Sequence, residues 1–205
     1  MCSAESRGST LQALLHAAES PSFPARVSLL VATRRSAPAV RIASESGVPV
    51  AVLSPTRLAA DGPEAYASAI ISRMRAADID LICLAGYMLR LPAQLVHEFP
   101  VKIMNVHAAL LPLFGGQGMY GLRVHQAVLE SGMKVTGCTV HFVDEEYDTG
   151  PVIVQRAVPV HTGDTPETLG ARLLPEEHRA VIHAVRLFAE GRLRVVGRCV
   201  EIIPR

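Results

Sequence analysis

The chain has 205 residues, of which 49% are hydrophobic and 19% charged, a balance that fits an ordinary α/β domain and excludes a disordered or fibrous protein. Lys and Arg number 20 against 19 Asp and Glu, so no strong field favours a polyanion such as nucleic acid, and any phosphate must be held locally. No run approaches the ~18 apolar residues of a membrane span, and residues 1–10 carry no apolar leader, so a soluble cytoplasmic protein is expected.

In chain order, residues 9–18 read as a helix, 27–32 as a strand, 37–46 as a helix and 50–53 as a strand. A helix at 63–77, a strand at 79–85, a helix at 92–99 and a strand at 102–106 follow, then a helix at 123–131. This alternation of short apolar runs with amphipathic stretches predicts βαβ units, hence a doubly wound, mostly parallel sheet with flanking helices. The runs 135–143 and 151–158 flank an acidic loop at 144–150 and predict a long antiparallel pair, which makes the sheet mixed. The last helix is expected over 165–189, with Asp164 as its N-cap and a kink or break at Pro175. No repeat or long linker divides the chain.

The start is unusual. A doubly wound sheet feeds its first phosphate loop from a hydrophobic strand, yet only seven mostly polar or small residues precede Gly8. A missing or truncated first strand is expected. The expectation is that the natural protein begins upstream of Met1, or that residues 1–5 occupy the strand's place.

The four cysteines, Cys2, Cys83, Cys138 and Cys199, show neither a CxxC pair nor zinc-type spacing with histidine. They read as reduced thiols, with no metal site expected. Asn105 and His107 stand two apart at the end of a predicted strand, so both side chains leave on one side. Carboxyl ends of parallel strands are where such sheets bind ligands. An amide donor beside an imidazole suits a developing oxyanion, although a capping Asn and a hydrogen-bonded His at a strand end are the simpler structural alternative. The acidic run from Asp144 is most often a solvated loop, but Asp148-Thr149-Gly150-Pro151 is a tight turn able to aim a carboxylate inward. Arg7-Gly8-Ser9-Thr10 is either a plain helix cap or an anion site on a helix N-terminus. Met88 and its neighbouring leucines read on their own as core packing.

The ordered set resembles the phosphoribosylglycinamide formyltransferases, folate-dependent enzymes of purine (IMP) synthesis, over nearly the whole chain. It comprises Leu84-Ala85-Gly86-Tyr87-Met88, the Asn105 to Pro112 segment, the Phe114 to Gly121 loop, the His141 to Ile153 segment and Glu177-His178. The resemblance implies a single formyltransferase domain over residues 1–205, with a nucleotide-binding half at about 1–100 and a catalytic, formyl-folate half at about 101–205. It implies transfer of a formyl group from 10-formyltetrahydrofolate to glycinamide ribonucleotide without a metal, in a cytoplasmic enzyme able to form a homodimer. Asn105, His107 and Asp148 match the catalytic positions. Gly8, Ser9, Thr10 and Glu177 match the nucleotide side. Met88, Leu89, Arg90, Leu91, Asn105, His141, Val143, Asp144, Glu145 and Asp148 match the folate side.

The chain departs from the family pattern at Ser6 and Thr10 in the phosphate turn, at Ala108-Ala109 after His107, at Pro63 and at Leu174. Three related readings remain in view. A formyltetrahydrofolate deformylase would use water as acceptor, but usually carries an extra N-terminal domain and a second histidine where this chain has Ala108. A methionyl-tRNA formyltransferase would add a C-terminal tRNA-binding domain and a basic excess. A binding module that has lost its chemistry would keep the fold alone.

Overall fold

The structure, a computed structural model, describes residue 1 and residues 7–204. It is an α/β fold with a mixed sheet flanked by helices, and it divides into two compact units, Met1–Met104 and Asn105–Arg205. None of the helices among the described residues is long and apolar enough to cross a membrane.

In the first unit, α1 (Ser9–Ala18) leaves a left-handed Gly8. A Cβ on Gly8 would lie 2.6 Å from Ile42 Cδ1 and 3.1 Å from Ala39 Cα, so glycine lets the turn press on the neighbouring helix. Strand β1 (Leu30–Ala32), helix α2 (Pro38–Glu45) and strand β2 (Val50–Val52) follow. β1 and β2 pair in parallel, Leu30 opposite Val50. Leu11, Leu30, Ala32, Ala39, Ala43 and Val48 close a small core between this pair and the two helices. Residues 27–29, expected as strand, are irregular chain leading into β1.

A short helix α3 (Pro55–Leu58), capped by the Ser54 hydroxyl, was not anticipated, because one turn is too brief to show a period. Helix α4 (Ala65–Ala76), strand β3 (Ile82–Leu84), helix α5 (Ala93–Glu98) and strand β4 (Ile103–His107) complete the alternation. Met1 lies against β3: its ammonium donates to the Cys83 carbonyl (2.5 Å), and its carbonyl accepts from Ala85 N–H (2.9 Å). Bonds to residues 83 and 85 flank one strand residue, as in a parallel ladder. Met1 thus makes the bonds of a strand residue beside β3; residues 2–5, the rest of the segment expected there, lie outside the described residues.

The second unit carries α6 (Leu122–Glu130), β5 (Val135–Phe142), β6 (Val152–Pro159), α7 (Pro166–Ala189), β7 (Leu193–Val196) and β8 (Cys199–Ile202). Its strand order is β4, β5, β6, β8, β7. β5 and β6 form the expected antiparallel pair, while β6 meets β8 in parallel. The β7–β8 hairpin turning at Gly197 was not anticipated: Leu193 and Val195 are half-buried and Arg194 and Val196 exposed, but with valine at both 195 and 196 the residue types do not alternate.

Two expectations for α7 are corrected. Thr165, not Asp164, is the N-cap, exchanging bonds with Thr168 in a capping box. Asp164 instead receives two Arg172 guanidinium bonds, both 2.7 Å, and the His161 N–H. The helix also continues unbroken through Pro175. An interior proline costs roughly 3 kcal/mol, whereas each fully buried leucine contributes about 1.5 to 3 kcal/mol. Leu169 and Leu173 before the proline and Ala180, Val181 and Ala184 after it are all buried, and they hold both halves of the helix on β5 and β6.

At Gly137, opposite Ala157 in the β5–β6 register, an added Cβ would lie 2.1 Å from the Arg156 carbonyl oxygen and 2.7 Å from Leu110 Cδ2. Gly137→Ala is expected to lower unfolding free energy by about 1 to 3 kcal/mol, the range of overpacking in a close-packed interior. Urea denaturation checks this, and a change within experimental error would contradict the close approach.

Candidate active site

Four side chains of the second unit converge: Asn105 and His107 from β4, His141 from β5 and Asp148 from the β5–β6 connection. Alternation puts Asn105 and His107 on one face of β4. At Val140/His141 the β5–β6 register shifts, a bulge-like irregularity of the kind that re-aims a side chain beside a site. The chain after β4 is tied down by the Thr139 hydroxyl, which donates to the Ala109 carbonyl (2.7 Å) and accepts from Leu111 N–H (3.0 Å). Gln155 Nε2 donates to the Leu111 carbonyl at 2.9 Å.

Beyond that anchor the chain doubles back. Phe114 has φ 55°, and its carbonyl lies 2.8 Å from His107 Nε2. A carbonyl only accepts, so Nε2 carries the hydrogen and donates. A Cβ at Gly115 would sit 2.7 Å from Leu111 Cδ2 and 3.2 Å from Asp148 Cβ, so the Asp148 side chain approaches only because that Cβ is lacking. Gly116 N–H then donates to Asp148 Oδ2 at 2.9 Å. Asp148 itself holds a left-handed φ of 58°. Gly150 closes the loop from the other side, where a Cβ would fall 1.9 Å from the Phe142 carbonyl oxygen.

The Asp148 carboxylate is the meeting point. Asn105 Nδ2 donates to Oδ1 at 3.4 Å and lies 3.2 Å from His141 Nε2. His141 Nε2 is 3.5 Å from Oδ1, and His107 Nδ1 is 3.5 Å from Oδ2. The side chains of Asp148, His107 and His141 are 10%, 6% and 2% exposed, whereas Asn105 is half-buried and keeps one flank open.

Burial lowers the His107 pKa from its ordinary value; Asp148 and the Phe114 carbonyl oppose it, and His141 adds to it. Asp148 attracts an imidazolium, but burial outweighs that attraction. Burial pushes the Asp148 carboxyl up, yet His141, His107 and Gly116 N–H together hold it below the usual carboxylate range. Near neutral pH the pair therefore rests as a neutral imidazole beside a carboxylate. With Nε2–H turned to Phe114, Nδ1 offers a lone pair toward Asp148, an arrangement that gains energy when one proton arrives.

The remaining expected residues have definite places. Val143, Asp144 and Glu145 begin the β5–β6 connection, where the Asp144 carboxylate accepts from the Thr149 hydroxyl (2.7 Å) and Glu146 N–H (3.2 Å), and so shapes the loop. His141, matched to the folate side, lies buried behind Asn105 and orients it. Glu177 is half-buried on α7, and burial pushes its carboxyl up to about 7. In the first unit, Gly8 and Ser9 open α1, which has no side-chain cap and no acid in its first turn. Thr10 is only 8% exposed. Met88, Leu89, Arg90 and Leu91 follow β3, with Leu91 buried and Leu89 exposed. No group of three or more His, Cys, Asp or Glu among the described residues is arranged to hold a metal ion.

Sequence reasoning missed three contributors. The Phe114 carbonyl and Gly116 N–H are main-chain groups and leave no residue-type signal. His125, on α6, is 6% exposed and Nδ1 has no hydrogen-bond partner. Gly170 of α7 gives it room, since a Cβ there would be 3.0 Å from its Cδ2 and Nε2.

Residues 3–185 match the formyl transferase family model, and the chain belongs to that family. Among its relatives is the chloroplastic phosphoribosylglycinamide formyltransferase of Arabidopsis thaliana, 43% identical over 82% of this chain and 57% of the relative. The chain therefore spans just over half of that plant protein. The trifunctional purine biosynthetic protein adenosine-3 of Gallus gallus is 39% identical over 92% of this chain and 18% of its own length. The crystal structure of glycinamide ribonucleotide transformylase 1 from Symbiobacterium toebii superposes with a TM-score of 0.91 at 40% identity, covering 99% of this chain and 92% of that one.

Burial lowers the His125 pKa from 6.5, and charge on His107 adds to the effect. A histidine whose folded pKa is depressed destabilises the fold as pH falls below its unfolded value, because the unfolded chain takes up the proton first. Asp148 titrates below 3.8 and does not contribute in that window. Glu177, raised to about 7, works in the opposite direction in both proteins, so the expectation is in the difference: lowering pH from 7.5 to 5.5 is expected to be less unfavourable for His125→Asn than for wild type. Urea midpoints at the two pH values check this; equal slopes for both proteins would contradict it.

Proposed function

We propose that this chain transfers the formyl group of 10-formyltetrahydrofolate to the primary amine of glycinamide ribonucleotide in de novo purine synthesis, as a cytoplasmic enzyme. The observation that carries the proposal is the convergence of an amide donor, a neutral imidazole and a carboxylate, Asn105, His107 and Asp148, with contacts of 3.4 and 3.5 Å. The names of the plant and bacterial relatives support glycinamide ribonucleotide as the formyl acceptor.

The chemistry follows from these groups. The amine nitrogen attacks the formyl carbon, and the carbonyl electron pair moves onto oxygen. Asn105 Nδ2 donates to that oxyanion, exchanging its long bond to Asp148 for the stronger charged acceptor. The proton leaving the new ammonium goes to His107 Nδ1, where Asp148 stabilises the imidazolium. The imidazolium then protonates N10 of the folate as the carbon–N10 bond breaks and N10 keeps the pair. Tetrahydrofolate and N-formylglycinamide ribonucleotide result, with His107 neutral again.

Donor binding is assigned to Met88, Leu89, Arg90 and Leu91 together with Asn105, His141, Val143, Asp144, Glu145 and Asp148. His141 contributes from behind Asn105. Nucleotide binding is assigned to Gly8, Ser9 and Thr10 at the start of α1, through main-chain N–H groups and the helix dipole, and to Glu177.

The direct test follows folate release from 10-formyltetrahydrofolate with and without glycinamide ribonucleotide. Release that depends on the nucleotide is expected. Release to water alone would identify a hydrolase, and none with either would identify a binding protein. Asn105→Ala is expected to lower kcat about a hundred- to a thousandfold, and near-normal turnover would remove it from the oxyanion role. Residues that act as a unit lose activity once, so the double variant His107→Ala/Asp148→Ala is expected to be hardly worse than the poorer single one. Multiplicative losses would reduce Asp148 to a loop-shaping residue.

A further inference from the structure

The donor-side segment Met88–Leu91 has no regular secondary structure to hold it. It leaves β3 through Gly86, at φ 63°, and runs as an arch. Its middle, Leu89 and Arg90, is exposed, while Tyr87 before it is 8% exposed and Leu91 at its end 7%. Two buried side chains, Tyr87 and Leu91, bracket its exposed middle. Leu91 packs by shape alone. Tyr87 carries a polar atom into the interior, and its phenol oxygen lies 3.0 Å from that of Tyr66. Tyr66 is 9% exposed on the first turn of α4, a helix seated by Ala67, Ile70 and Met74, none of them more than 4% exposed. A hydrogen bond between two buried phenols fixes distance and direction in a way apolar packing does not.

We infer that Tyr66 is a positioning residue for the one-carbon donor. Through the Tyr87 phenol it fixes where the Met88–Arg90 arch sits, and so sets affinity for the pterin-bearing substrate without touching it. The inference rests on the donor-side assignment made above. Because the nucleotide is assigned elsewhere, loss of the Tyr66 hydroxyl shifts one substrate and spares the other.

The test uses the full chain with Tyr66→Phe, Tyr87→Phe and the double variant. Steady-state kinetics in Tyr66→Phe are expected to show KM for 10-formyltetrahydrofolate raised about five- to tenfold, the effect of one buried hydrogen bond. kcat and KM for glycinamide ribonucleotide are expected to stay within about twofold. The double variant is expected to match the worse single one, since both remove the same bond. Calorimetric binding of tetrahydrofolate supplies a readout free of turnover, and it is expected to weaken by the same factor. If wild-type protein binds tetrahydrofolate but transfers no formyl group, the transfer reading fails while the binding comparison still decides the role of Tyr66. Equal tetrahydrofolate affinity in wild type and Tyr66→Phe, a parallel rise in KM for both substrates, or multiplicative losses in the double variant would each overturn the inference. So would a wild-type chain that binds no reduced folate.

Discussion

The buried carboxylate of Asp148 is the interaction on which the arrangement depends. Removing a charge from water is costly unless it is matched by donors. Here Gly116 N–H at 2.9 Å and Asn105 Nδ2 at 3.4 Å donate to it, and the rings of His107 and His141 stand 3.5 Å away. Those groups come from three pieces of chain, so satisfying one charge gathers β4, β5 and the Phe114 loop around a point. The cost appears locally in the backbone. Asp148 and Phe114 both hold left-handed φ angles that side chains other than glycine rarely adopt. Glycines at 115 and 150 remove the Cβ atoms that would otherwise prevent the approach.

The same carboxylate decides how the imidazole behaves. His107 is too buried to keep its proton easily, and Asp148 limits how far its pKa falls. A base that is neutral at rest and charged at little cost suits a reaction in which one proton must leave an amine and reach a departing nitrogen. The Phe114 carbonyl fixes the tautomer by occupying Nε2, which leaves Nδ1 as the working atom. His141 has a comparable mechanical part. Its Nδ1 meets the Phe142 carbonyl at 2.8 Å, which sets the ring plane and presents Nε2 to the Asn105 amide.

Much of this was legible in the sequence where local rules dominate. The helix Ser9–Ala18 has the predicted bounds because its apolar spacing and preceding glycine agree. The β5–β6 pair was visible as two long apolar runs around an acidic turn, and the two-residue spacing of Asn105 and His107 implied a shared face. Where several groups compete, local rules fail. Asp164 and Thr165 are both good caps, and only the position of Arg172 two turns along the helix shows that Asp164 is otherwise engaged. Pro175 should break a helix, but burial on both sides of it is a tertiary property. The net sign of the His107 shift was equally out of reach, since proximity to Asp148 is a matter of motif and depth of burial is a matter of packing. The unpartnered His125 Nδ1 and the space given by Gly170 appear only once α6 and α7 lie together.

The central claim is that His107 rests as the neutral Nε2–H tautomer, with Asp148 supporting the proton it takes up at Nδ1. Long-range proton–nitrogen NMR of the His107 ring, followed across pH in wild type and Asp148→Asn, tests this most directly. The account requires the Nε2–H tautomer at neutral pH and a pKa below 6.5 in wild type that falls further in the variant. An Nδ1–H tautomer, or a His107 pKa unmoved by Asp148→Asn, would contradict it.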